Sequence, residues 1–225
     1  MFGLEITSES IMILLKIIAI DIILSGDNAI VIAMATRRLP KDKQNKAIIM
    51  GTVGAVVLRI VFAVVIVYLL QVPLVHFIGG LLLLWIAYNV IADDDEKTNV
   101  ASANSLGKAV LTIIVADAIM SLDNVVAIAG AARGHLGLLA LGVAVSIPIM
   151  IFGSKIIVRV MERFKWIAYV GTAILAWTAG EMITEDDLVV DALHLEHGPF
   201  TYAIMVILTL AVLLSGFIHN QRRKS

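Results

Sequence analysis

Seven apolar stretches divide the chain, at about residues 10–36, 47–70, 73–92, 108–132, 136–160, 164–184 and 199–219, with short polar joints between them. Each comes near or exceeds the ~20 residues a helix needs to cross the hydrocarbon layer of a bilayer. The pattern therefore predicts an all-α, polytopic membrane protein of seven transmembrane helices.

The polar residues inside the first and fourth stretches are the same. Asp21-Ile-Ile-Leu-Ser-Gly-Asp-Asn28 and Asp117-Ala-Ile-Met-Ser-Leu-Asp-Asn124 both read D-x-I-x-S-x-D-N, and residues 21–37 match 117–133 at 9 of 17 positions. Chance agreement between Ala-, Ile- and Val-rich helices accounts for the aliphatic matches but not for Asp, Ser, Asp, Asn and Arg in register. Gly79-x5-Trp85-x5-Ile91 in the third stretch likewise lines up with Gly171-x5-Trp177-x5-Ile183 in the sixth. Stretches two and five match too poorly to pair residue by residue.

A three-span unit enters the membrane with opposite sense each time it is repeated, so the expected arrangement is a 3+3 inverted repeat plus one C-terminal helix. The expected organisation is a first three-helix repeat at 1–92, a polar cytoplasmic linker at 93–107 and a second repeat at 108–184. An extracytoplasmic loop, the seventh helix and a basic cytoplasmic tail follow over 185–225.

Composition agrees with a lipid-solvated chain: 60% of residues are hydrophobic and the mean hydropathy is +0.98. The absence of cysteine removes disulfides and thiolate metal ligands. The start, Met1-Phe2-Gly3-Leu4-Glu5, lacks the basic region of a signal peptide, so the first stretch is expected to stay. The net charge of -1 hides an asymmetry. With alternating spans, one side carries Arg37, Arg38, Lys41, Lys43, Lys46, Lys97, Lys108, Arg159, Arg163, Lys165 and the basic tail, whereas the loops of the other hold only Arg133. The positive-inside rule then puts the amino terminus outside and the carboxyl terminus in the cytoplasm, in the inner (plasma) membrane.

Carboxylates in the middle of a membrane are costly, by about 2.5–3.5 kcal/mol each on insertion scales, so four in duplicate point to use. Positions i, i+4 and i+7 share a helix face, which makes Asp21, Ser25 and Asn28 one stripe and Asp117, Ser121 and Asn124 another. Asp27 and Asp123 lie ~100° from the adjacent Asn, so all groups converge only where the helix is unwound or shared with a neighbour. Gly26 offers a place for unwinding in the first copy; Leu122 makes it less expected in the second. The candidate metal ligands are Asp21, Asp27, Asn28, Asp117, Asp123 and Asn124, with Ser25, Gly26, Ser121, Arg59 and Glu181 supporting or gating.

Carboxylate, amide and hydroxyl oxygens suit hard divalent cations such as Mg²⁺, Ca²⁺ and Mn²⁺. Met120 could add a thioether, although methionine on an apolar helix is more often packing. The bland alternative is a buried network of ion pairs. Arg59, deep in the second stretch, needs a counter-ion, and one of the four aspartates is the natural partner. Lys16 and Lys155 can snorkel to the interface. Glu181 could gate or relay, or simply face water near a helix end. The acidic runs Asp93-Asp94-Asp95-Glu96 and Glu185-Asp186-Asp187 would concentrate cations at the two mouths, though most such runs are solvated loops. His194-Leu195-Glu196-His197 lacks the spacing of a zinc-protease motif. Pro148 is expected to kink the fifth stretch.

With Ser25-Gly26-Asp27-Asn28 and Ser121-Leu122-Asp123-Asn124 in matched halves of a seven-span chain, the sequence resembles the TerC family of integral membrane proteins, on its YjbE-type branch. The resemblance implies Mn²⁺ as the transported ion, with Ca²⁺ and Mg²⁺ left open by the ligand chemistry. It also implies efflux by alternating access, or an accessory role supplying Mn²⁺ to secreted proteins beside the secretion machinery. Asp27, Asn28, Asp123 and Asn124 match its motif directly, and Asp21 and Asp117 through the repeat; Leu122 departs from it. The expected partners are thus a metal cation, the lipid bilayer and the secretion machinery, with a homo-oligomer open and no nucleic acid. No enzymatic role is expected: an intramembrane aspartyl protease would need a G-x-G-D pattern, and Leu24-Ser25-Gly26-Asp27 lacks its first glycine.

Overall fold

The computed structural model of the chain describes residues 8–69, 74–92, 102–132, 135–164, 166–193 and 198–222. Among them the regular elements are all helical: α1 (Ser8–Leu24), α2 (Gly26–Thr36), α3 (Lys41–Leu69), α4 (Val75–Ala92), α5 (Ser102–Ala132), α6 (Leu136–Arg163), α7 (Ile167–Glu185), α8 (Asp187–Leu193) and α9 (Pro199–Arg222). Helices α3, α4, α6, α7 and α9 are each long and apolar enough to cross a membrane. The α1–α2 pair, bent by 50°, and the two arms of α5, bent by 64°, bring the number of spans up to seven if each bent pair is one. The protein is an all-helical, multi-pass membrane protein.

One expectation changes at this level. The joint at 93–107 lies outside the described residues over 93–101, and its end is helical, because α5 begins at Ser102. Helix α6 runs through Pro148 without interruption, although proline removes one donor from the ladder.

The helices gather into two compact units. One holds α1, α2, α3 and most of α5 and α6; the other holds α4, α7, α8 and α9. Each unit therefore draws corresponding elements from both sequence repeats.

In the first unit, Ile13, Ile17, Val56, Ile128, Leu138, Leu139 and Val143 form one buried cluster, and Ile32, Ile48, Ile113 and Met150 another. Lipid tails are as apolar as these side chains, so van der Waals fit rather than water exclusion holds such contacts, and small residues set how closely helices approach. A Cβ added to Gly142 of α6 would lie 2.4 Å from Ile17 Cγ2 of α1, and one added to Gly51 of α3 would lie 2.6 Å from Ile113 Cδ1 of α5. Both approaches lead directly to the buried polar cluster.

In the second unit α4 packs on α7, with Gly80 facing the Ala179 carbonyl so closely that a Cβ would meet it at 2.7 Å. Asn220 of α9 donates from Nδ2 to the Ile91 carbonyl at 3.1 Å. Asp186, expected to lie in a solvated acidic loop, is 3% exposed. Its carboxylate accepts the Phe77 N–H at 3.1 Å and the Leu188 N–H at 3.2 Å, capping the starts of both α4 and α8. His194, Glu196 and His197 lie outside the described residues.

Candidate cation site

Successive turns of two parallel helix pairs build the site. On α1 and α6, Ile17 meets Gly142, and one turn further Ser146 Oγ donates to the Asp21 carboxylate. On α5 and α3, Ile113 meets Gly51, and one turn beyond Ile113 the Asp117 carboxylate meets Arg59. The close glycine contact thus brings each aspartate within reach of a polar group on the facing helix.

Arg59 is 1% exposed, and each of its three side-chain nitrogens donates a hydrogen bond. Its Nη1 donates to Asp21 Oδ1 and, at 2.8 Å, to Ser25 Oγ; Nη2 donates to Asp117 Oδ1 at 2.6 Å; Nε donates to Ser121 Oγ at 3.1 Å. The guanidinium spans both copies of the motif. Each serine in turn donates to the aspartate one turn before it, Ser25 to Asp21 at 3.3 Å and Ser121 to Asp117 at 3.2 Å. Asp21 is 0% exposed and Asp117 4%. Two carboxylates and one guanidinium leave a formal charge of -1 in this cluster, and Arg59 is the counter-ion of two aspartates rather than one.

The third stripe position behaves differently. Asn28 is 1% exposed, and neither its Oδ1 nor its Nδ2 finds a hydrogen-bond partner among the described residues. An unpaired buried amide costs roughly 1–3 kcal/mol, so its retention calls for an explanation. It sits just past the bend between α1 and α2, where the Asp27 carboxylate accepts the Asn28 backbone N–H at 2.9 Å in the first turn of α2. Across the bend, Asn124 Nδ2 of the second motif donates to the Leu24 carbonyl at 3.2 Å, an acceptor freed by the end of α1.

Glycine is not what breaks the helix. A Cβ on Gly26 would meet nothing within 4 Å, and α5, which carries Leu122 in place of that glycine, bends by 64° between Leu122 and Asn124, two positions beyond the equivalent of the break at Ser25.

The structure therefore brings together Asp21, Ser25, Asp117, Ser121 and Arg59, places Asn28 and Asn124 at the bend, and leaves Asp27 half-buried on the first turn of α2. The Asp123 side chain lies outside the described residues. Glu181 is exposed on α7, in the other unit. Among the described residues no three His, Asp or Glu side chains converge as a metal cluster; the available ligands are carboxylate oxygens already held by Arg59, the free Asn28 amide and Asp27. Sequence reasoning missed Ser146. Its signal was available, since it is a polar residue four positions after Gly142 in the middle of an apolar run.

The sequence model of the TerC family, described as integral membrane protein TerC family, matches residues 6–224. The chain is 40% identical to the uncharacterized membrane protein YjbE of Bacillus subtilis, over 94% of this chain and 96% of that one. It is 23% identical to the UPF0053 inner membrane protein YgdQ of Escherichia coli over 90% of each chain, and 24% identical to the uncharacterized membrane protein YkoY of B. subtilis over 94% of this chain and 73% of that one. No solved structure matches the chain.

Proposed function

Because the chain belongs to the TerC family of integral membrane proteins, we propose that it exports a divalent metal cation, with Mn²⁺ the first choice, through a mid-membrane site formed by its two Asp-Asn motifs. The observation that carries this reading is the Asn28 amide, buried at a helix bend next to Asp27 and without a partner among the described residues. Such an amide oxygen, with the Asp27 carboxylate one residue away, offers hard ligands to a cation that would satisfy it. Broken helices at the midplane are a recurrent way to free further carbonyl ligands for ions.

The proposed architecture is seven spans in a 3+3 inverted repeat plus α9, with the amino terminus outside. Two geometric facts support it. Contacts advance in the same direction along α1 with α6 and along α3 with α5, as alternating spans require. Ile17 and Ile113, each four residues before the motif aspartate, meet a glycine in the same manner. Asp123 and Asn124 would complete the cargo's ligands from the second copy, and the two bends would serve as hinges for alternating access.

The test is flux into liposomes of purified protein carrying an entrapped Mn²⁺-sensitive dye. Wild type should admit Mn²⁺ without a partner, and Asp27→Ala, Asn28→Ala and Asp123→Ala should each lower the rate at least tenfold. Variants that reconstitute normally and match wild type overturn the site. Binding without flux would instead fit delivery of metal to exported proteins.

A further inference from the structure

The Asp21–Arg59–Asp117 bridge is more than the proposed cargo site needs. We propose that Arg59 sets the affinity and charge selectivity of the cation site, acting as a tethered competitor that a cation must displace from Asp117. The inference rests on the cation-site reading above.

Three observations lead to it. First, the bridge is unequal. Asp21 accepts from Arg59, Ser25 and Ser146 and is 0% exposed, whereas Asp117, 4% exposed, accepts among the described residues from Arg59 and Ser121. Asp117 is the carboxylate that can exchange one cation for another. Second, the guanidinium is continuous with the motif: Arg59 Nη1 donates to Ser25 Oγ, three residues before the unpaired Asn28 amide. A cation reaching Asn28 meets the field of Arg59 within about one helical turn. Third, the charge is present in one copy only. Superposing the equivalent glycine contacts, Gly51 with Ile113 and Gly142 with Ile17, sets Ala55 opposite Ser146 and Arg59 opposite Met150. Met150 is buried among Ile32, Ile48 and Ile113, so the second copy is apolar where the first is cationic. A brace that merely joined the two copies would not have to carry charge; one that leaves the carboxylate pair a formal -1 tunes the field.

The consequence is selective. A monovalent ion offers Asp117 no more charge than the guanidinium already supplies and cannot repay its displacement. A divalent ion can, and the competition keeps its binding weak enough for release.

The experiment titrates Mn²⁺ into detergent-purified wild type, Arg59→Gln and Arg59→Lys, with Asp27→Ala as reference, following free Mn²⁺ by its electron paramagnetic resonance signal. Repeating each titration in 150 mM potassium chloride and in an equal ionic strength of a large organic cation separates competition from screening. Arg59→Gln should bind Mn²⁺ at least tenfold tighter, about 1.4 kcal/mol, and K⁺ should now compete. Arg59→Lys keeps the charge but has a single head for two carboxylates, so its affinity should rise at least threefold with K⁺ still excluded. Should Arg59→Gln fail to fold, the lysine variant decides alone. Unchanged or weaker Mn²⁺ binding in the folded variant overturns the role of Arg59 while leaving the site intact. A wild type that binds no Mn²⁺, or binds it no better than Asp27→Ala, overturns the site itself.

Discussion

Replacing Asn28 with leucine should make the empty protein more stable and useless. The side chains share a branched skeleton of four heavy atoms, with leucine the bulkier, the position is 1% exposed, and neither amide atom has a hydrogen-bond partner among the described residues. Leucine thus removes an unpaired polar group and breaks no bond, and the gain is the desolvation penalty of that group, about 1–3 kcal/mol. For a chain of this length ~1 kcal/mol moves the unfolding midpoint by ~2–4 °C, so the metal-free variant should melt several degrees above wild type. Metal should reverse the order. Mn²⁺ at a hundred times its dissociation constant adds ~2.7 kcal/mol to any protein that binds it only when folded. Wild type should gain that increment and Asn28→Leu should not. The assay is thermal unfolding in detergent, each protein with and without Mn²⁺. A variant that melts below wild type without metal would mean that Asn28 has a structural partner, and one that keeps the Mn²⁺ increment would remove Asn28 from the site; either result refutes the reasoning.

Gly142→Ala places a methyl group 2.4 Å from Ile17 Cγ2; overpacking of ~1–3 kcal/mol should outweigh the ~1 kcal/mol helix-propensity gain of alanine. A double-mutant cycle with Ile17→Ala should show relief of at least ~1 kcal/mol in denaturant unfolding, and additivity within ~0.5 kcal/mol would contradict the contact. Gly26→Ala, whose methyl would meet nothing within 4 Å, should leave both stability and Mn²⁺ flux near wild type; loss of flux with intact folding would restore a conformational role for that glycine. Asp186→Ala strips the cap from α4 and α8 together and should cost ~1–3 kcal/mol in thermal unfolding, with Asp186→Asn recovering part of it; an unchanged midpoint would show the cap to be dispensable.

The apolar segments were legible because lipid imposes a length rule that short motifs do not obscure. The pairing of Asp21 with Ser25 was legible for a similar reason, since helical period alone puts positions i and i+4 on one face. Two features were not. Asp186 looks like one acid among several in a loop, and only the approach of α4 to the start of α8 reveals it as a shared cap. Gly26 offers a place for unwinding in the first copy and Leu122 makes it less expected in the second, yet the second bends further. The bend therefore follows from what the two motifs share, serine and Asp-Asn side chains that offer the backbone alternative partners, as Asp27 does for the Asn28 N–H.

Arg59 shows where a repeat stops being informative. Duplication predicts matched groups, and stretches one and four comply, so two aspartates arrive in equivalent places from opposite halves. Like charges so placed repel, and a symmetric pair of basic residues would cancel them and leave nothing for a cation to join. A single arginine is the asymmetric solution: one guanidinium has two donating edges, enough to hold both carboxylates, yet only one charge. Stretches two and five had to diverge for that to arise, with Arg59 on one side and Met150 on the other. Where those stretches differ, at Arg59 and Met150, the mismatch leaves a formal negative charge between the two aspartates.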